Sequence, residues 1–500
     1  MTRPTKRRRP FLAAMIALVS AVLLLVAAGE PAPFSEPDPE RLLRQGRWEE
    51  AAAAYARRIR SHPRDGRAVH GRVRALLGQD RWKEALSEAE SAHSRQPGAI
   101  AVCTALAEAH FRAGRLERVD AILAPVVDRA PAEPRALATL GRLRAAQGRH
   151  GEAKALLARA CELAPDDRDV LYWSADLAAG RADAVRLMRR YLELSEGDDP
   201  GRIESARAMV RFFDALGDTR LWVPETRPER VELPLIQIWD AQGVVIGYAV
   251  EARLGPKGKK VRLLLDTGAH GLFIVERKTR KTGFSPLAEG TLFGGGGKGK
   301  HSTTRGLFSS FALGELRFEN ALAKVTGEFD ATGRYHGLLG ISIFAGYRVT
   351  LDLDRRRLTL NLPTDDPSGE SFWWVSGQML VRAGAGSGAE GLFIFDTGAS
   401  GTVLASTFIE ELEEATVGEA TAVRSFGGMV PEARWVDDVE LGFGGLRTSG
   451  PLRTYDLSTR SKLGGVEISG LLGLDLLGQR RIVIDPVAQR VGIASGRHER

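Results

Sequence analysis

Cysteine is nearly absent: the 500 residues contain only Cys103 and Cys161. Two thiols make no disulfide framework, and both sit in alanine-rich sequence where buried packing of a small side chain is the expected use. No group of Cys and His residues has metal-ligand spacing, so no metal site is expected. No G-x-S-x-G stretch occurs, which removes the strained serine elbow of one large hydrolase class. Basic charge is scarcer than the total implies. Of the net +7, five charges come from Arg3, Lys6, Arg7, Arg8 and Arg9, which leaves +2 on the rest of the chain. A nucleic-acid surface is therefore not expected. What remains is ordinary globular material, 43% hydrophobic and 27% charged, long enough for two to four domains.

The basic start leads into Phe11–Ala28, "FLAAMIALVSAVLLLVAA", interrupted only by Ser20. As a helix these residues would span roughly 27 Å, near the thickness of a bilayer core. Cations before such a segment favour a cytoplasmic N-terminus and an exported body. Residues 1–30 are thus expected to be a signal anchor, with one transmembrane helix through residues 11–28. A cleaved signal peptide is the alternative, because Val26-Ala27-Ala28 offers small residues at a cleavage position. "RRPFL" at Arg8–Leu12 weakly resembles a twin-arginine export signal. Each reading places the body outside the cytoplasm, in the cell envelope on the periplasmic side.

Residues 37–218 repeat. Pro63, Pro97, Pro131 and Pro165 are spaced by 34. In register with them stand Gly46, Asp80, Gly114 and Gly148, then Trp48, Trp82, Leu116 and His150, then Ala51, Ala85, Val119 and Ala153. A 34-residue period with small residues at helix contacts and proline after each second helix resembles the tetratricopeptide repeat. The resemblance implies stacked helix pairs, each burying a face that it cannot bury alone. Arg202–Leu216 reads as a capping helix. The groove of such an array would take a protein or peptide partner; a spacer role is the alternative.

Residues 219–235, "TRLWVPETRPERVELPL", read as a linker. Beyond it the texture becomes short β-branched runs broken by Gly, Pro, Asp and Asn, as in "VRLLLDTG" and "RRIVIDP". This half is duplicated. Leu263–Ala269, "LLLDTGA", matches Phe393–Ala399, "FIFDTGA", at an offset of 130. At an offset of 133, Phe293-Gly294-Gly295 matches Phe426-Gly427-Gly428. Gly337–Gly340 matches Gly470–Gly473 at that offset, both reading "GLLG", and Leu351-Asp352 matches Ile484-Asp485.

Two such Asp-Thr-Gly motifs, each followed by Leu-Leu-Gly, resemble the pepsin and retropepsin-like aspartic proteases. The resemblance covers about residues 240–496. It implies a bilobal, all-β double lobe following the α-solenoid, with a first lobe at 236–366 and a second at 367–497. Asp266 and Asp396 would form a catalytic dyad. Two adjacent carboxyls do not both ionise readily, so they share a proton and titrate as a unit. One would take a proton from an attacking water and the other would polarise the peptide carbonyl; the sequence does not say which does which. By the same resemblance, Thr267 and Thr397 lock the two loops across the dyad. Gly268 and Gly398 permit close backbone approach. No metal or organic cofactor is implied.

The loop Phe293–Ser302, "FGGGGKGKHS", comes near the phosphate-binding pattern G-x-x-x-x-G-K, but His301 stands where Ser or Thr is required. It lies in a strand-rich stretch and has a counterpart 133 residues later. Nucleotide binding is therefore not expected. Phe293, Gly294, Gly295, Phe426, Gly427 and Gly428 read as flap or substrate-cleft residues, with Lys298, Lys300 and His301 as modulators of substrate choice. The family's flap tyrosine is missing from both loops. Asp352 and Asp485 read as acids capping turns, and His336 as an exposed loop histidine. The expected activity is exported aspartic endopeptidase on peptide or protein substrates. The alternative is a non-catalytic envelope scaffold in which the repeats and an inactive protease-like pair bind peptides.

Overall fold

The computed structural model describes residues 37–178, 180–293, 300–327, 333–363, 368–386, 388–425, 428–449 and 451–494. The candidate anchor at 11–28 lies outside them, and no described helix is long and apolar enough to cross a membrane.

Residues 39–216 are helical, and residues 223–494 are built mainly of β-sheets. Within each repeat a short turn joins two antiparallel helices, as in Gly66–Gly78 with Trp82–Arg95 and Pro134–Ala146 with His150–Leu163. The turns explain one of the 34-residue registers. Gly46, Asp80, Gly114 and Gly148 all have left-handed backbones, with φ of 68°, 64°, 73° and 69°. Three are glycine because that region is costly for other side chains, and Asp is among the residues that tolerate it. The register of small residues explains the packing: Ala51, Ala85, Val119 and Ala153 are completely buried between helices.

The array curls until its beginning meets its end. A Cβ on Gly46 would fall 1.8 Å from the carbonyl oxygen of Gly197. Arg168 donates to the carbonyls of Leu43 and Arg44 and lies over the Trp48 ring at 4.5 Å. Both free cysteines pack within this region, Cys103 buried and Cys161 half-buried.

The two lobes repeat one strand arrangement. In the first, Gly337–Leu339 lies between Lys259–Leu265, to which it is parallel, and Leu272–Val275, to which it is antiparallel. In the second, Gly470–Leu472 lies in the same way between Ala389–Phe395 and Val403–Ala405. A shared sheet joins the lobes where Arg348–Asp352 pairs with Arg481–Asp485.

The residues read as a linker instead carry two strands. Val223–Thr226 pairs with Leu316–Thr326, and Arg230–Pro234 pairs with Arg357–Asn361. Each strand contains a proline, Pro224 in the first and Pro234 in the second. Each strand, however, ends its sheet, where proline's missing N–H leaves no ladder bond unmade.

Array and lobes share one apolar cluster, in which Phe111, Leu116, Leu140 and Leu143 join lobe residues. Polar contacts fix the docking. Arg112 pairs with Glu467 at 2.8 Å, and Glu467 N–H donates to the Arg112 carbonyl at 2.7 Å. Arg382 reaches Glu117 at 2.6 Å and the Gly114 carbonyl at 2.9 Å. Between the curled array and the lobes lies a cavity of 1830 Å³.

Candidate active site

Each Asp-Thr-Gly loop leaves the end of a buried strand. Asp266 follows Leu263-Leu264-Leu265 and Asp396 follows Phe393-Ile394-Phe395, all six apolar residues being buried. The leucines of the two "GLLG" stretches hold these ends: Asp266 N–H donates to the Leu339 carbonyl and Asp396 N–H to the Leu472 carbonyl. The apolar triplets thus carry two acids into a place that acids avoid.

The threonines clasp the loops to one another. Thr267 Oγ1 donates to the Phe395 carbonyl and accepts the Thr397 N–H at 2.9 Å. Thr397 Oγ1 donates to the Leu265 carbonyl at 3.0 Å and accepts the Thr267 N–H at 3.2 Å. Each hydroxyl uses both its donor and its acceptor capacity on the opposite lobe, so every partner is satisfied in a dry interior. The glycines are required by the same crossing. A Cβ on Gly268 would sit 2.7 Å from Asp396 Cγ, and one on Gly398 would sit 2.5 Å from Asp266 Cγ.

The carboxyls therefore face one another across the two glycines, and both have raised pKa values. Burial is the main cause at Asp266, followed by the charge of Asp396 and a hydrogen bond with it. Burial also raises Asp396, but less, because the positive charge of Arg460 and the N–H groups of Gly398 and Ala399 favour its ionised form. Those two N–H groups meet Asp396 Oδ1 at 2.9 and 3.1 Å. Asp266 Oδ1 is buried without a hydrogen-bond partner. The pair is thus unequal: the environment favours charge on Asp396 and a proton on Asp266.

Further out, the loops are braced symmetrically in position but not in chemistry. Gly271 N–H donates to Ser342 Oγ at 3.0 Å, whereas Thr402 donates to Asp475 through its N–H and, at 2.6 Å, its hydroxyl. Ser342 and Asp475 are 133 residues apart, two places after each "GLLG", so the duplication itself could have revealed them. Arg460 and Tyr455, which neighbour Asp396 electrostatically, had no such signal. At the same offset stand Gly327 and Leu322.

Of the candidate flap residues, Gly294, Gly295, Phe426 and Gly427 lie outside the described residues, as does Lys298. Phe293 and Lys300 pair at the end of the hairpin formed by Phe284–Phe293 and Lys300–Leu313, and Gly428 pairs with Ser425. His336 is structural rather than a free loop side chain: its Nδ1 accepts the Arg262 N–H at 2.9 Å. Asp352 and Asp485 cap turns, accepting N–H groups from Arg355 and from Val487 and Ala488.

Known families match parts of the chain. The aspartyl protease family matches residues 250–343, and tetratricopeptide repeat families match residues 40–100, 76–145 and 134–177. The chain thus contains an aspartyl protease domain. It precedes that domain with tetratricopeptide repeats. No curated protein sequence matches the chain. Among solved structures, an aspartic proteinase from Irpex lacteus is 14% identical with a TM-score of 0.35, over 53% of this chain and 97% of that one. A structure titled MamA RS-1 ArsTM double mutant is 18% identical with a TM-score of 0.23, over 31% of this chain and 90% of that one.

Proposed function

We propose that the chain is an aspartic endopeptidase that hydrolyses peptide bonds with Asp266 and Asp396. The observation that carries this reading is the buried, unequal carboxyl pair held by the crossed threonine clasp. A merely structural acid pair would be a poor use of a dry interior, since burying unneutralised carboxyls is expensive. Asp396, favoured as the carboxylate, takes a proton from water as the water attacks the scissile carbonyl. Asp266, favoured as the acid, donates a hydrogen bond to the carbonyl oxygen as negative charge develops there. The proton on Asp396 then passes to the leaving amine. Residues 1–30 direct export, with the segment 11–28 retaining the body at the membrane. Edman sequencing of the mature chain would overturn retention by finding a start beyond residue 28.

The test of the dyad is cleavage of a peptide library by the purified chain from pH 3 to pH 8, alongside Asp266→Asn and Asp396→Asn. Turnover by the parent and loss in both variants supports the reading. Unchanged turnover in either variant overturns it, and peptide binding without any turnover favours the scaffold.

A further inference from the structure

The cavity between array and lobes contains more positive charge than its own acids neutralise. Most charged groups on its array wall are paired: Glu40 with Arg74, Glu108 with Arg135, and Asp169 with Arg202. Among the cations that line it, Arg44, Arg142, Arg305 and Lys324 have no carboxylate within 4 Å among the described residues, and of these Arg44 is exposed. Asp176 lines the array wall without a paired cation among the described residues.

Arg305 and Lys324 are direct cross-strand partners in the first lobe. Like charges so placed repel, and the cost grows where low-dielectric walls exclude water. Burial and the charge of Arg305 push Lys324 down to about 8. Its ammonium lies 4.8 Å over the Phe273 ring, and the Arg305 guanidinium lies 5.6 Å over Phe212 of the last array helix, so aromatic faces hold both without neutralising either. On the array wall, Arg142 is stacked 4.0 Å from Phe111 and 4.2 Å from Trp173, with the Gly465 carbonyl at 3.4 Å as its hydrogen-bond acceptor. Burial lowers it to about 9.

The position of these cations matters as much as their charge. The same cavity is lined by His270, four residues after Asp266, and by Thr291 of the strand that runs to the glycine loop. The cavity thus shares a wall with the loop that follows Asp266 and with the hairpin strand that leads to the glycine loop.

We propose that Arg305 and Lys324, in a cavity that Arg142 of the array also lines, bind carboxylates of a polypeptide segment flanking the scissile bond, so that the protein selects acidic substrates. This rests on the protease reading only for the words "scissile bond"; the anion site itself does not require turnover. The probe is a fluorescein-labelled apolar dodecapeptide carrying three consecutive glutamates, with a glutamine twin. Binding is measured by anisotropy to the full chain bearing Asp266→Asn. The glutamate peptide should bind at least about tenfold more tightly, with an advantage that shrinks as salt rises. Adding Arg305→Gln and Lys324→Gln should erase the advantage while the glutamine twin keeps its affinity, and Lys324→Arg should retain it. Equal affinity for the two peptides, including no binding of either, overturns the proposal, as does an advantage that survives the double substitution. Incubation of both peptides with the unmutated chain reads the other question. Equal hydrolysis of the two leaves the protease standing without the selectivity. Selective binding with no hydrolysis leaves the anion site standing without the protease.

Discussion

The two lobes place a cation in one equivalent slot and treat it in opposite ways. Phe273 and Val403 each face the first leucine of a "GLLG", and beside them lie Lys324 and Arg453. In the second lobe the cross-strand partner of Arg453 is Trp435, whose ring lies 4.9 Å from the guanidinium. In the first lobe the partner of Lys324 is Arg305. Each cation lies over an aromatic ring, but in one slot the strand neighbour is that ring and in the other it is a second cation next to a cavity. The acids differ in the reverse sense. Asp396 has Arg460 and two N–H groups to support its charge, whereas Asp266 has a buried oxygen with no partner. Duplication has thus conserved geometry while dividing electrostatic roles between the copies.

The sharpest way to break the comparison is at the acids. Asp266→Asn and Asp396→Asn should each lower kcat/KM by about 10³-fold or more, since Asp396 carries the proton from water to the amine and Asp266 as the acid stabilises the developing oxyanion. A variant within tenfold of the parent would show that its lobe is dispensable. Next come the threonines, where the lobes are equal. Thr267→Val or Thr397→Val strands one buried carbonyl and one buried N–H, and each should cost about 2–4 kcal/mol in urea denaturation. Unequal losses would show that the clasp is not reciprocal.

Stability against pH separates the lobes more finely. Asp266 has its folded pKa raised, so the folded chain keeps a proton that the unfolded chain releases. Its cost to stability is therefore absent below the ordinary carboxylate range and grows as pH rises toward the folded pKa. Relative to the parent, Asp266→Asn should gain melting temperature progressively between pH 3 and pH 8. A gain that shrinks with pH would reverse the assignment. The smallest effect expected is at Arg460. Arg460→Gln removes charge that favours ionised Asp396, so the acid limb of the kcat/KM profile should move to higher pH. No movement would mean that the two lobes hold their acids alike.

Sequence revealed what geometry repeats. Left-handed turns and buried small residues recur every 34 positions because stacked helix pairs need them, and the Asp-Thr-Gly and Leu-Leu-Gly pairs recur because strand ends of identical shape need them. The helical-then-β class and the threonine and glycine positions were legible on that account. What sequence hid was whatever the copies do not share. Arg460 and Tyr455 have unrelated residues at the matching offset, and Arg142, Arg305 and Lys324 come to line one cavity only in the folded chain. The strands at 223–226 and 230–234 were hidden for another reason. Proline marks a break in a central strand but is harmless at an edge, and only the sheet order tells the two apart.

The crossed clasp has a bearing on biosynthesis. Thr267 bonds to residues about 130 positions later, and Leu351, near the end of the first lobe, pairs with Ile482 of a strand formed later still. A nascent chain that has released only its first lobe holds Asp266 without the glycine it packs against or the acid that shares its proton. Whatever chemistry the pair performs cannot begin until translation has passed both loops and the joining strand has closed.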